Sequence, residues 1–311
     1  SNFKNCDNYI YIASANRIPG NYVSNYSNIH FRRLEAVNYG NYNTINEFIS
    51  LKSENFFFFQ DNSSDNIYIA FHLQRKKIKV ALVQDGLKPY PKWHRKHLVL
   101  SLFRETFQFY MQMFRRKAVI PSLFLKSYKY GHLKYVDQLW VDYPDKLSSK
   151  TNKEIIRIPD MSKEISDEIE SILSYRPMAN LDNVILYIGQ PLKPILWKKE
   201  IEIINLIKAN NPQMQFLYKV HPNTKNEQLE NYKSINAFSF VKDNIPAELI
   251  IAAMNRSIIV SIYSTALITN NPNCKFYWTR KLYGDSGIFT QLEIINPTSH
   301  IIEVENVSEI K

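Results

Sequence analysis

Short apolar, strand-like runs alternate with helix-like segments along this chain, and the alternation restricts its fold more than any other feature. In the first half, a helical pattern over 65–77 is followed by a β-branched run over 78–83. In the second half, helical segments separate apolar runs over 183–188, 213–220 and 257–262. A β-α-β-α order indicates parallel sheets that are covered by helices on both faces. We therefore predict an α/β protein.

The length of the chain, 311 residues, allows two domains of ordinary size. The segment Tyr175-Arg-Pro-Met178 interrupts the alternating pattern and marks the predicted boundary. We predict one domain over 1–176 and a second over 177–311, with the last residues free to pack back on the first domain. Because both domains have polar turns after their strands, we expect a ligand cleft between them.

A His-Pro pair ends the strand-like run in the second half: His221 and Pro222 follow 217–220 directly. Ligands of open α/β sheets bind outside the carboxyl ends of the strands. Pro222 stops the strand and fixes the turn, so the imidazole is held at a defined place. A single histidine at a strand end is more often structural, and its functional interpretation depends on other segments.

The first of these segments is Gln84-Asp85-Gly86, which follows the run over 78–83. Gly86 allows a sharp turn of the backbone. A carboxylate at Asp85 would lie at the edge of the sheet, where it suits a general base that takes a proton from a hydroxyl group. The alternative is an aspartate that bonds to its own backbone in a common Asp-Gly turn.

The second segment is Ser264-Thr265, which follows a strand and begins a helix. The free N–H groups at a helix start attract phosphate, and two hydroxyls add donors. The alternative is an ordinary helix cap. Glu248, in the first turn of another helix, either stabilises the helix dipole or binds ribose hydroxyls.

The net charge of +10 is concentrated in one part of the chain. Residues 92–135 contain ten Lys or Arg and one acid, Glu105, with aromatic residues between them. This pattern is typical either of a core helix with a solvated basic face or of a surface for an anionic partner. Because no nucleic-acid module accompanies it, we rank an anionic membrane or acceptor above DNA or RNA.

The cysteine content and the hydropathy indicate the compartment. Two cysteines, Cys6 and Cys274, predict a reduced, cytoplasmic protein, and no run reaches the length of about 20 apolar residues that crosses a bilayer. We expect peripheral binding at the inner face of the cell membrane. No Cys/His spacing predicts a metal ligand set, so we expect chemistry without a metal.

Four short segments occur in an order that resembles the bacterial sialyltransferases of glycosyltransferase family 52, and more distantly families 38 and 80. Those families carry an acidic-acidic-Gly motif, a His-Pro motif and a Ser/Thr pair in this order. The corresponding segments here are Gln84-Asp85-Gly86, Lys219-Val-His221-Pro222, Ile245-Pro-Ala-Glu248 and Tyr263-Ser-Thr265. Ile188-Gly-Gln-Pro191 adds a weaker match, and the likeness covers roughly 55–280.

The resemblance implies the GT-B fold: two Rossmann-like domains whose parallel sheets face a central cleft. It further implies CMP-sialic acid as the donor substrate, with no metal or other cofactor. Position by position, Asp85 matches the general base and His221 the residue at the CMP phosphate. Ser264 and Thr265 match the phosphate-binding hydroxyls, and Glu248 the acid that binds ribose. We also assign Lys219, Pro222, Gly189 and Gln190 to the donor side, and Gln84, Gly86 and Tyr90 to the acceptor side.

One departure from the family pattern is Gln84, which stands where the family carries its first acid. It keeps a hydrogen-bonding group but removes a charge, and it leaves the acceptor and the donor sugar open. The leading hypothesis is an inverting sialyltransferase that acts on a hydroxyl of a cell-surface glycan, in lipooligosaccharide or capsule. The alternatives are a GT-B transferase for another nucleotide sugar, and a catalytically silent relative that binds glycan or lipid. We expect no nucleic-acid partner.

Overall fold

The computed structural model of the chain describes most of both predicted halves. The described residues are 7–12, 27–33, 46–47, 50, 53–59, 64–93, 103, 106–107, 110–111, 114, 130–160, 163–173, 181–233, 239–241, 245–284, 292–293 and 296–311. Contacts within the chain define two compact units. One contains the described residues within Ser1–Arg33, Met161–Thr290 and Thr298–Lys311, and the other those within Leu34–Asp160 and Gln291–Pro297. The sequence-based boundary after residue 176 stays a prediction.

The unit that contains Asp85 is built on a four-stranded parallel sheet in the order β3-β4-β6-β7. The strands are β3 (Asn55–Phe58), β4 (Lys79–Val83), β6 (Gln138–Val141) and β7 (Glu154–Arg157). Helix α1 (Ser64–Arg75) joins β3 to β4 and is buried over 67–71 and at Leu73. A short antiparallel pair, β5 (Lys92–Trp93) and β13 (Leu292–Glu293), belongs to the same unit.

The unit that contains His221 is built on a six-stranded parallel sheet in the order β10-β9-β8-β11-β12-β14. The strands are β8 (Val184–Ile188), β9 (Gln215–Lys219), β10 (Ser239–Val241), β11 (Ser257–Ser261), β12 (Cys274–Trp278) and β14 (Ile301–Glu303). The helices are α2 (Lys163–Ile172), α3 (Pro194–Asn210), α4 (Asn226–Lys233) and α5 (Ala247–Ala252). Strands β1 (Asn8–Ile12) and β2 (Ile29–Arg33) form a separate parallel pair.

The local sequence explains the central elements. All five residues of β8 and of β11 are buried, as expected for parallel strands covered on both faces. Helix α3 begins at Pro194, because proline is pre-set for the first helical turn. The α/β class with parallel sheets is therefore confirmed. Strands β2, β5, β7, β13 and β14 are absent from the sequence prediction, since each is short, polar or at a sheet edge.

Candidate functional site

The predicted donor-side residues other than Glu248 lie along the carboxyl edge of three neighbouring strands, β9, β8 and β11. Gly189 follows β8, and its N–H donates to the carbonyl of Lys219 at the end of β9 (3.0 Å). On the other side, the Ser261 hydroxyl at the end of β11 donates to the carbonyl of Ile188 (2.8 Å). These bonds tie three loops together, so side chains from separate parts of the chain converge on one edge.

His221 is half-buried, and the turn that follows β9 fixes its ring. The backbone N–H of Asn223 donates to Nδ1 of His221 (3.1 Å), and the N–H of Thr224 donates to its carbonyl (2.9 Å). Since Nδ1 accepts a hydrogen bond, the proton of the neutral imidazole resides on Nε2. The ring is thereby set as a hydrogen-bond donor through Nε2, a role that suits an anionic ligand.

Lys219 and Pro222 flank this histidine in different environments. Lys219 is buried at the last position of β9, and its Nζ donates to the carbonyl of Val220 (3.1 Å). Pro222 is exposed. The lysine therefore brings a cation to the strand end that carries His221, and the proline ends the strand as predicted.

Ser264 and Thr265 begin a single 3-10 turn (Thr265–Ile268) instead of an α-helix. Ser264 Oγ accepts from the N–H of Ala266 (3.3 Å), and the N–H of Ser264 donates to Ser261 Oγ (3.3 Å). The capping interpretation therefore holds for Ser264. Capping uses an oxygen lone pair, and the hydroxyl proton can still donate to a ligand. Thr265 is half-buried beside it.

Glu248 is half-buried in the first turn of α5, whose N-cap is Pro246. The chain enters α5 from β10, which runs parallel to β9. The start of α5 therefore lies at the same carboxyl edge as the His221 turn.

The loop after β8, Gly189–Leu192, is closely packed. A Cβ atom at Gly189 would lie 2.1 Å from the Tyr218 hydroxyl oxygen, so no larger residue fits without displacement. The Gln190 carbonyl accepts from Nε2 of Gln228 on α4 (2.9 Å), and Gln190 itself is buried. The backbone of this donor-side loop is thus held in one position.

In the other unit, Asp85 and Gly86 form the turn that follows β4. Gly86 has a φ of 67°, in the left-handed region that favours glycine, as the predicted sharp turn requires. Asp85 is about 40% exposed, and its Oδ2 accepts from Nζ of Lys88 (2.5 Å). The carboxylate is thus accessible to a ligand at the carboxyl edge of the sheet.

Gln84 joins the ends of β4 and β6. Its Nε2 donates to Oδ2 of Asp142 (2.8 Å), while its Oε1 accepts from the N–H of Asp142 (2.9 Å) and from the Tyr90 hydroxyl (2.6 Å). The Tyr90 hydroxyl in turn accepts from the N–H of Tyr143 (3.2 Å), and Tyr90 is fully buried. Gln84 and Tyr90 therefore support the turn that carries Asp85 from within the protein.

Asp142 is a site residue that the sequence prediction missed. Burial raises the pKa of its carboxyl group, and the hydrogen bond from Gln84 partly opposes that rise. Burial also raises the pKa of the Tyr90 hydroxyl, which stays neutral. Asp142 directly follows β6, as Gln84-Asp85 follows β4, and this parallel placement after neighbouring strands is the signal that could have found it.

The described part of the chain offers neither a membrane-spanning helix nor a cluster of metal ligands. No helix there is long and apolar enough to cross a membrane. No group of three or more His, Cys, Asp or Glu side chains in the described ranges could hold a metal ion.

The chain is similar to one protein family and to two solved structures named here. The model of the alpha-2,8-polysialyltransferase (POLYST) family matches residues 8–276. The crystal structure of the GT-B domain of a sialyltransferase from Photobacterium damselae is similar over 97% of this chain and 93% of that chain, with a TM-score of 0.52 and 12% identity. A UDP-GlcNAc 2-epimerase from Neisseria meningitidis, bound to UDP-GlcNAc, covers 72% of this chain and 58% of its own, with a TM-score of 0.38 and 12% identity. No curated protein matches. The predicted GT-B fold is confirmed.

Proposed function

The chain belongs to the alpha-2,8-polysialyltransferase family, and from this we propose an inverting, metal-independent sialyltransferase that uses CMP-sialic acid. Family and fold together identify a glycosyltransferase. The observation that carries the finer proposal is the convergence of the Gly189, His221 and Ser264 loops at the edge of three adjacent parallel strands. The order of the motifs, which resembles glycosyltransferase family 52, supports the same proposal.

On the donor side, the phosphate of CMP gains negative charge as its bond to the anomeric carbon of sialic acid breaks. His221 would donate a hydrogen bond from Nε2 to this phosphate, with its ring held by the N–H of Asn223. The buried cation of Lys219 and the hydroxyls of Ser264 and Thr265 would add to this stabilisation, and Glu248 would bind the ribose. These groups supply the charge stabilisation for which other transferases use a metal.

On the acceptor side, Asp85 would take the proton of the attacking hydroxyl. The acceptor oxygen forms the new bond to the anomeric carbon from the side opposite CMP, so the configuration inverts. The ion pair of Asp85 with Lys88 is half-exposed, and an acceptor hydroxyl can displace the ammonium group at modest cost. The Gln84–Asp142–Tyr90 network holds the turn during this step.

The acceptor we propose is a glycan of the cell surface, in lipooligosaccharide or capsule, that already ends in sialic acid. The family name specifies alpha-2,8 transfer, in which a sialic acid hydroxyl attacks the donor. The ten basic residues within 92–135 are complementary to such an anionic acceptor.

The experiment that tests this function is the release of CMP from CMP-sialic acid by the purified protein in EDTA. We expect release to rise when a disialylated lactoside is added, and to rise less with a galactose-terminated one. The His221→Ala variant should release CMP about 100-fold more slowly, because it lacks the donor at the phosphate. UDP- and GDP-sugars serve as the control panel. Release of nucleotide from one of these sugars alone would mean that the protein uses another donor. No release from any nucleotide sugar would favour a catalytically silent relative.

An exposed apolar stripe supports peripheral binding to the membrane. The described residues from 103 to 114 are helical, and Phe103, Phe107 and Phe114 are 60%, 66% and 74% exposed. Met111 is exposed on the same stripe, while Thr106 is buried. Aromatic side chains flanked by basic residues fit an anionic bilayer surface, where rings insert and cations meet headgroups. We include such a surface among the proposed partners.

A vesicle-binding measurement checks this association. Replacing both Phe107 and Phe114 with serine should weaken binding to phosphatidylglycerol vesicles at least about tenfold, since each ring loses its apolar burial. Ile195→Ser is the matched control, because Ile195 is 82% exposed in the other unit. Transfer to a soluble acceptor should be unchanged. Equal vesicle binding by the double variant and the wild type would exclude this stripe as the membrane contact.

A further inference from the structure

A carboxyl group lies fully buried below the donor-side loop. Glu200, in the middle of α3, accepts hydrogen bonds from the hydroxyls of Tyr187 on β8 (3.0 Å) and Tyr232 on α4. The Tyr187 hydroxyl also contacts the Tyr283 hydroxyl (3.4 Å). The surrounding core is mostly apolar, with Ile203, Ile204 and similar side chains. Burying a carboxylate in such a core is costly and adds little to stability compared with an apolar residue, so its presence calls for another explanation.

A continuous path of hydrogen bonds leads from Glu200 to the Gly189–Leu192 loop. Nε2 of the buried Gln228 donates to the Tyr232 hydroxyl (3.1 Å) and to the Gln190 carbonyl (2.9 Å). Oε1 of Gln228 accepts from the N–H of Leu192 (3.1 Å). One side chain thus holds the loop at two points, and Glu200 orients the tyrosine that holds this side chain.

We propose that Glu200, Tyr232 and Gln228 are positioning residues that hold the Gly189–Leu192 loop in the shape that accepts the donor nucleotide. The inference rests on the proposed function for the identity of that ligand. The proposal assigns a role to a buried path of hydrogen bonds that takes no part in the transfer step. None of the three side chains needs to touch the substrate.

The protonation of Glu200 should control this path. Burial raises the pKa of Glu200 to about 7, although the hydrogen bonds from Tyr232 and Tyr187 oppose the rise. The titratable groups that face it are Tyr187, Tyr218, Tyr232 and Tyr283, whose pKa values burial raises, so all four stay neutral. An ionised Glu200 accepts from both of its partners, whereas a protonated one must donate its proton. The path therefore weakens as the pH falls below about 7.

Two matched tyrosine variants test the proposal. Tyr232→Phe removes the hydroxyl that accepts from Gln228 on the path. Tyr283→Phe removes a hydroxyl of the same buried cluster that contacts Tyr187 and lies off the path. We expect Tyr232→Phe to raise the Kd for CMP about tenfold, the loss of one net hydrogen bond, while kcat at saturation stays within about twofold. Tyr283→Phe should leave the Kd within about twofold, although both variants lower the melting temperature.

Two further readouts separate this role from a general loss of stability. Amide hydrogen exchange at Leu192 should be faster in Tyr232→Phe than in Tyr283→Phe, with or without nucleotide. Glu200→Gln imitates the protonated acid. After correction for the pH dependence of CMP binding that both proteins share, this variant should bind CMP at pH 8 as weakly as the wild type does at pH 6. Equal Kd and exchange in the two tyrosine variants would overturn the positioning role while leaving the donor site in place. Failure of the wild type to bind CMP, UDP or GDP would overturn the proposed function and the positioning role with it.

Discussion

Replacing Asp85 with asparagine should lower transfer to the acceptor about 10²–10⁴-fold while CMP binding stays unchanged. An amide cannot take a proton from the attacking hydroxyl at neutral pH, yet it keeps the size and hydrogen-bonding capacity of the carboxylate. The turn should survive, because its shape depends on Gly86 and on the Gln84 network. The measurement is kcat/KM for the acceptor, together with the Kd for CMP on the same preparation.

Two other carboxylates of the same unit make this test specific. Asp160 is exposed and pairs with Arg157, so Asp160→Asn controls for the loss of a surface charge and should keep near wild-type transfer. Asp142→Asn removes the half-buried carboxylate that accepts from Gln84 and should reduce transfer through the position of the turn. Full activity in Asp85→Asn combined with complete loss in Asp142→Asn would reassign the base to Asp142.

The positions of the predicted site residues could be read from the sequence because they depend on local signals. His221, Asp85 and Ser264 each follow an apolar or β-branched run, and each precedes a residue that turns or caps the chain. Parallel strands bring such turns to one edge without further information. The structure agrees at this level: the three donor-side loops are joined by backbone and hydroxyl bonds.

The structural roles of Gln84 and Tyr90 cannot be predicted from the sequence. Their partners, Asp142 and Tyr143, lie more than 50 residues away in the chain, and only the pairing of β4 with β6 brings them together. The sequence resemblance assigns both residues to the acceptor side. The structure places Tyr90 fully inside the unit, and Gln84 uses both side-chain atoms within the network. As a result, Asp142 at the neighbouring strand end places a carboxylate against Gln84, where the family pattern has its first acid.

Glu200 was missed for a different reason. It lies in Trp197-Lys-Lys-Glu-Ile-Glu202, where charged residues are typical of a solvated helix face. Its burial depends on the packing of α3 against the tyrosines of β8, β9 and α4, which no local pattern records. Sequence analysis can therefore identify residues at the ends of strands, but it does not identify buried polar residues whose partners are distant in the chain.

The free energy of unfolding should fall by about 2–3 kcal/mol from pH 5 to pH 8 in the wild type relative to Glu200→Gln. Burial raises the pKa of Glu200 from 4.5 to about 7 in the folded protein. Between these two values, the folded state keeps a proton that the unfolded state has lost, so each rise in pH favours unfolding. Above about pH 7 both states are ionised and the difference becomes constant.

Urea unfolding at several pH values measures this difference, and Glu202→Gln, an exposed neighbour on α3, is the matched control. The control should follow the pH profile of the wild type, whereas Glu200→Gln should follow a flatter one; parallel profiles for all three proteins would mean that Glu200 ionises normally. Stability and nucleotide affinity should respond to the same proton in opposite directions. Ionisation of Glu200 costs stability in the core and strengthens the hydrogen bonds that lead to Gln228. The upper end of the pH range over which the stability difference changes should therefore coincide with the pH at which the Kd for CMP changes.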